Sequence, residues 1–252
     1  MPRTILPLAA ALATLGATGA QAAHLDYFQA TLAPLNGSGA TARASLTLDA
    51  LANTLRVRIL ARGVEPGLHP QHIHGLVGED GQPVDSVTPP PSADQDGDGF
   101  VEIPEGALFY GPVLVSLLGE DGMFPSPTGT GYDFRATYDL GDAATYAEGF
   151  GVEALLGVGA TLEPEDEPQL ALREIVLHGL TVPDGAGEGF NFALGDLAGE
   201  VDGGENGYLP ALPIASGEIV QVDAPAPVPL PAAAWLLLAG LGGLGALRRR
   251  RG

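Results

Sequence analysis

Thr41 to Ala61 reads TARASLTLDALANTLRVRILA. Ala42, Ala44, Leu46 and Leu48 alternate with Arg43, Ser45, Thr47 and Asp49. Leu55, Val57 and Ile59 then alternate with Arg56 and Arg58. Successive side chains of a strand point to opposite faces, so each run predicts a strand with one buried and one wet face. The short break from Asp49 to Asn53 makes the pair a hairpin.

Similar runs flank it. A strand near Tyr27 to Leu32 precedes the turn Asn36-Gly37-Ser38-Gly39. Further strands are expected in PVLVSLL (112–118), YDFRATYDL (132–140), REIVLHGLTV (173–182) and GEIVQV (217–222). A short helix is expected around Ala143 to Leu156, weakened by Gly149 and Gly151. The chain's 37 glycines and 22 prolines supply frequent turns. The predicted fold is all-β, a β-sandwich with long loops, in one domain over 23–222.

Between its two terminal segments the chain carries 31 acidic residues against six arginines (43, 56, 58, 62, 135 and 173) and no lysine, a charge near −25. Such a surface repels nucleic acid and anionic lipid and attracts divalent cations. There is no cysteine, hence no disulfide framework. No Ser-His-Asp order and no phosphate loop is present.

GLHPQHIHG, Gly67 to Gly75, holds three of the five histidines. On a strand His72 and His74 share a face, with Ile73 opposite. Two imidazoles on one face suit a transition metal, and His178 on a later strand can complete a set of three. The alternative is a structural hydrogen-bond cluster. His69 lies three residues before His72 and faces the other way. Because only neutral imidazole ligates, metal affinity is expected to fall as pH drops through roughly 6.5.

DQDGDGFVEIPE, Asp94 to Glu105, fits the spacing of an EF-hand calcium loop. Asp94, Asp96 and Asp98 take positions 1, 3 and 5, and Gly99 the sharp turn at 6. Phe100 offers its carbonyl, Glu102 binds through water, and Glu105 is the bidentate carboxylate. The preceding TPPPSA cannot form an ordinary entering helix. The alternative is a solvated acidic turn.

The first 22 residues combine Arg3, an apolar run and the small-residue site Ala20-Gln21-Ala22, the layout of a secretory signal peptide. Residues 223–231 form a Pro-rich linker. The segment 232–252 is an apolar run closed by Arg248 to Arg251, expected to cross a membrane with the arginines cytoplasmic. At ~1.5 Å per residue the run from Ala232 to Leu247 covers about 24 Å.

The C-terminal tail, Val228-Pro229-Leu230-Pro231-Ala232 with its apolar run and arginines, resembles PEP-CTERM sorting signals of the VPLPA type. That resemblance implies an exosortase-type transpeptidase as partner. It also implies export to the envelope or surface of a Gram-negative bacterium. GLHPQHIHG also resembles the H-x-x-H-x-H strand of copper/zinc superoxide dismutases, a Greek-key sandwich. Arg173 and His178 match that family's later R-x-x-x-x-H strand. The resemblance implies copper on His72, His74 and His178, with His69 left out. The zinc ligands, the bridging histidine and the disulfide have no counterpart here. Residues 24–118 as a whole resemble the CHRD domain, through Phe28-Gln29-Ala30-Thr31-Leu32, the hairpin and His72-Ile73-His74-Gly75. That resemblance implies a β-sandwich and does not imply catalysis.

The leading expectation is therefore an exported, surface-anchored, calcium-binding β-sandwich of the cell envelope or exopolysaccharide matrix, without catalysis. The rival is a copper-dependent, dismutase-like redox protein. A metal-storage or metal-sensing module is the third reading.

Overall fold

The computed structural model describes residues 24–159, 161–186, 201 and 207–225. The expected signal peptide, sorting motif and membrane segment lie outside these residues. No helix among the described residues is long and apolar enough to cross a membrane.

The hairpin at the centre of the sequence forms as its alternation dictates. Strands β1 (Leu25–Pro34), β2 (Thr41–Asp49) and β3 (Thr54–Arg62) are antiparallel neighbours. Asn53 turns the second hairpin with φ 52°, and Asp49 accepts the Ala52 amide at 3.0 Å. Short strands β4 (Gln71–His74), β5 (Leu76–Val77) and β6 (Pro83–Val84) follow. Helix α1 (Ile103–Tyr110) leads into β7 (Val113–Ser116) and then β8 (Gly131–Asp139). Helix α2 (Val152–Leu156), β9 (Glu174–Val182) and β10 (Gly207–Val222) complete the described chain.

Eight strands form one antiparallel sheet in the order β7-β4-β9-β10-β1-β2-β3-β8, while β5 and β6 pair separately. The sheet curls around one core, so the fold is all-β as expected. Phe28, Leu46, Leu55 and Ile59 from one half meet Ile73, Leu114, Ile175 and Ile214 from the other. The curl also draws the two edges together: the Tyr138 hydroxyl, on β8, donates to the Leu118 carbonyl just past β7 at 2.9 Å.

Two expectations change. The strand expected at 217–222 begins ten residues earlier, at Gly207. Its first half carries Pro210 and Pro213, and its pairing with β9 is irregular between Leu209 and Ala215. A proline cannot donate to the ladder, so the strand bends there and one long strand serves both halves of the curl. The helix expected from Ala143 to Leu156 is a single 3-10 turn at Ala143–Thr145 and the short α2. Gly149 sits between them at φ 86°, which ends any helix.

Candidate metal centres

Strand β4 lies between β7 and β9. His72 is opposite Ser116 and Val176, and His74 is opposite Val113 and Glu174. Ile73 is fully buried in the core, so the two histidines face away from it, as the period of two requires. His178 enters from β9, whose His178 amide donates to the Pro70 carbonyl at 2.9 Å. The three rings converge. Their centroids are 5.5 Å apart for His72 and His74, 5.2 Å for His72 and His178, and 5.9 Å for His74 and His178. One ring nitrogen from each falls within 4.8 Å of the others.

Backbone carbonyls orient these rings. His74 Nδ1 donates to the Gly111 carbonyl at 2.9 Å, and His178 Nδ1 donates to the Ala211 carbonyl at 2.6 Å. A carbonyl only accepts, so Nδ1 carries the proton and Nε2 of each neutral ring keeps a bare lone pair. Those two Nε2 atoms and His72 Nδ1 are buried with no hydrogen-bond partner among the described residues. Three unpartnered ring nitrogens, two of them bare acceptors, are costly to bury unless something fills them. Burial pushes the rings far below the ordinary histidine value, helped for His72 and His74 by neighbouring imidazoles. His72 falls to about 2, His74 to about 3 and His178 to about 4.

Aromatic rings close the site. Tyr110 packs against His74 with centroids 4.7 Å apart, and Phe124 against His72 at 5.3 Å. Gly111 makes the helix contact: at φ 80° any side chain there would strike the backbone of Gly75. Without one, α1 ends close enough to offer its carbonyl to His74. His69 stands apart, as the sequence reading expects. Its Nδ1 faces the His178 carbonyl at 2.8 Å and its Nε2 the Glu65 carbonyl at 2.7 Å, so neither nitrogen is free to ligate.

Arg173, five residues before His178, does not reach the rings. It is fully buried and donates to the carbonyls of Leu155, Leu76, Val84 and Ala154. One side chain thereby ties α2, β5 and β6 to the start of β9. Burial lowers its pKa to about 10.

The acidic loop forms two overlapping carboxylate groups, Asp94–Asp96–Glu105 and Asp96–Asp98–Glu102. Asp94 accepts the amides of Gly97 at 2.6 Å and Gly99 at 2.9 Å, which wraps the loop around it. Asn36 pins the loop to the sheet, bonding both backbone groups of Val101 and the Pro213 carbonyl. In place of an entering helix there is one 3-10 turn at Pro91–Ala93, as three successive prolines require. The helix after the loop is regular. Its first turn is a capping box in which Glu102 and Glu105 each accept a backbone N–H of the other. Glu105 also accepts the Gln95 amide at 2.6 Å, and Glu102 accepts the Val201 amide at 2.9 Å. Burial, followed by crowding with neighbouring carboxylates, raises Glu102 above the usual carboxylate range and Asp98 to about 6. Asp98 Oδ2 has no partner among the described residues. The described residues thus assemble a histidine group and an acidic group, each able to hold a metal ion. Phe100 lies half-buried between Asp98 and Glu102 on the same loop.

Sequence reasoning missed Gly111, Ala211 and Tyr110, because backbone acceptors and a ring at a helix end leave no spacing signal. A scan against protein-family models and a search among curated proteins find no match to this chain.

Proposed function

We propose that this protein is an exported metal-binding module whose principal site is a copper centre on His72, His74 and His178. The carrying observation is the convergence of three buried, unpartnered ring nitrogens, two of them in tautomers fixed by backbone carbonyls. Imidazole nitrogen suits copper and zinc, and copper(II) binds such donors most tightly among the divalent first-row ions. Hydrogen bonds from the far nitrogens of His74 and His178 are the outer support that such ligands normally have. The curled antiparallel sheet is the coarse all-β architecture on which the dismutase-like and CHRD-like stretches would sit. The VPLPA-type tail supports envelope anchoring after export through an exosortase-type partner.

The role is binding rather than turnover. A domain charge near −25 opposes the approach of an anionic substrate such as superoxide. Copper titration of the purified protein by chelator competition tests the site. One equivalent should bind, with affinity falling at least tenfold in His74→Ala and in His178→Ala. His69→Ala should stay within a few-fold of the parent once its folding is confirmed. Equal affinity across all four proteins would refute the reading.

A second reading concerns calcium at 94–105, favoured by the wrapping of Asp94 and by the onset of α1 at Ile103, the tenth position of the loop. Glu105 would exchange its amide partners for the ion. Because calcium binds the folded loop, it should raise the melting temperature, as mass action requires. Asp94→Ala should abolish that rise. Identical melting with calcium and with chelator would reduce the loop to an acidic turn.

A further inference from the structure

Five of the six domain arginines lie on one sheet face. Arg43 on β2, Arg56, Arg58 and Arg62 on β3, and Arg135 on β8 are all exposed. Register shows that they share the outer side. Arg58 stands between Ser45 and Arg135, Arg56 between Thr47 and Thr137, and Arg62 between Thr41 and Gly131. Arg43 is paired with Thr31 of β1 on its other flank. The row on β3 spans roughly 20 Å at ~3.4 Å per residue. In a domain charged near −25 this is a local concentration of cations.

The face already shows what it can hold. Asp133 is gripped by two guanidinium groups: Arg58 donates to its two oxygens at 2.9 and 2.8 Å, and Arg135 at 3.4 and 3.1 Å. Arg56 has only a long contact to Asp49, at 3.8 Å. Arg43 and Arg62 form no ion pair among the described residues. Between the arginines stand hydroxyl and amide side chains, among them Gln29, Thr31, Ser45 and Thr137. They line two shallow grooves of about 210 and 290 Å³ with Arg43, Arg56, Arg58 and Arg135; Glu120 is the one acidic side chain in the lining, at the second groove.

We propose that this face docks a carboxylate-bearing polysaccharide, with the free arginines taking its carboxylates and the intervening side chains its hydroxyls. Charge complementarity selects an anionic partner. The linear spread of the arginines favours a repeating charge over a single small anion. A peptide strand fits less well. β2 and β3, which carry four of the five arginines, are each paired on both sides, so their backbone groups are already used; the unpaired side here is the outer edge of β8, past the arginine rows. Recognition must come from side chains, and alternating guanidinium and hydroxyl groups match a ligand with alternating carboxylates and hydroxyls. This gives chemical content to the exopolysaccharide matrix that the sequence leads one to expect, and it is independent of any metal. At ~0.1 M salt the Debye length is about 10 Å, which screens the acidic remainder of the surface while contacts on the face persist.

The test is binding of the full chain to polygalacturonate at ~0.1 M salt. A chelator in the buffer prevents calcium from bridging two sets of carboxylates. Dextran and poly-L-glutamate serve as comparisons. Polygalacturonate should bind, dextran should not, and binding should weaken as salt rises. The triple variant Arg43→Gln, Arg56→Gln, Arg62→Gln should lose at least tenfold in affinity while keeping its melting temperature and its copper binding. Absence of polygalacturonate binding overturns the proposal, as does unchanged binding by the variant. Equal or tighter binding of poly-L-glutamate would make the face a polypeptide site. Salt-sensitive self-association that disappears in the variant would assign it to a second copy of this chain.

Discussion

Replacing Arg173 with alanine should cost about 3–5 kcal/mol of stability, enough to threaten the fold. Its guanidinium is fully buried and donates to four backbone carbonyls on α2, β5 and β6. Removing it leaves those acceptors in a dry space and opens a void beside Gly75, against which its side chain packs. In a domain of this size each 1 kcal/mol corresponds to roughly 2–4 °C in melting temperature, so a fall of about 6–20 °C is expected. Lysine should not rescue it, because a single ammonium cannot span acceptors that a planar fork reaches together. Calorimetry of Arg173→Ala and Arg173→Lys checks this. A lysine variant that melts with the parent would show that the fork is not what holds these segments.

Acid should act on the metal-free protein through its histidines. In the folded chain, His72, His74 and His178 stay neutral down to about pH 2, 3 and 4 respectively. In the unfolded chain they take protons near pH 6.5. Below that pH the unfolded state therefore binds more protons, and stability falls as pH falls. At pH 5 each ring accounts for about 2 kcal/mol of lost stability. Glu102 and Glu174 act in the opposite sense. Burial raises both carboxyls, Glu174 to about 7, so protonation relieves them as pH drops. A comparison with a His72→Gln, His178→Gln variant isolates the histidine part: its stability should depend less on pH between 6.5 and 4. The same physics revises the expectation that metal affinity fails near pH 6.5. Ordinary imidazoles would protonate there, but these buried rings do not, so copper should remain bound to the folded protein near pH 5. Copper loss centred on pH 6.5 would mean that the rings are open to water.

The strands with strict alternation were legible, because Leu55, Val57 and Ile59 have one buried face available and Arg56 and Arg58 one wet face. The histidine pair was legible for the same reason. His178 was legible as a strand residue, but nothing local to it reveals that β9 runs beside β4. The first half of β10 was hidden by Pro210 and Pro213, which signal a break where the chain in fact bends and continues. Helix α1 was hidden by chemistry that has two uses. The loop spacing marks Glu102 and Glu105 as ligands, and in the fold they cap the helix that follows. That helix then carries Tyr110 and Gly111 to His74, a link no spacing could show. Arg173 matches a motif by its distance from His178, yet its role depends on carbonyls from three other segments.

X-ray absorption at the copper edge tests the central claim most directly. The protein loaded with one equivalent of copper should show a first shell containing three imidazole nitrogens at about 2 Å. His178→Ala should lose one of them or fail to bind. A first shell of oxygen alone, or one unchanged in His178→Ala, would contradict the assignment of this site to His72, His74 and His178.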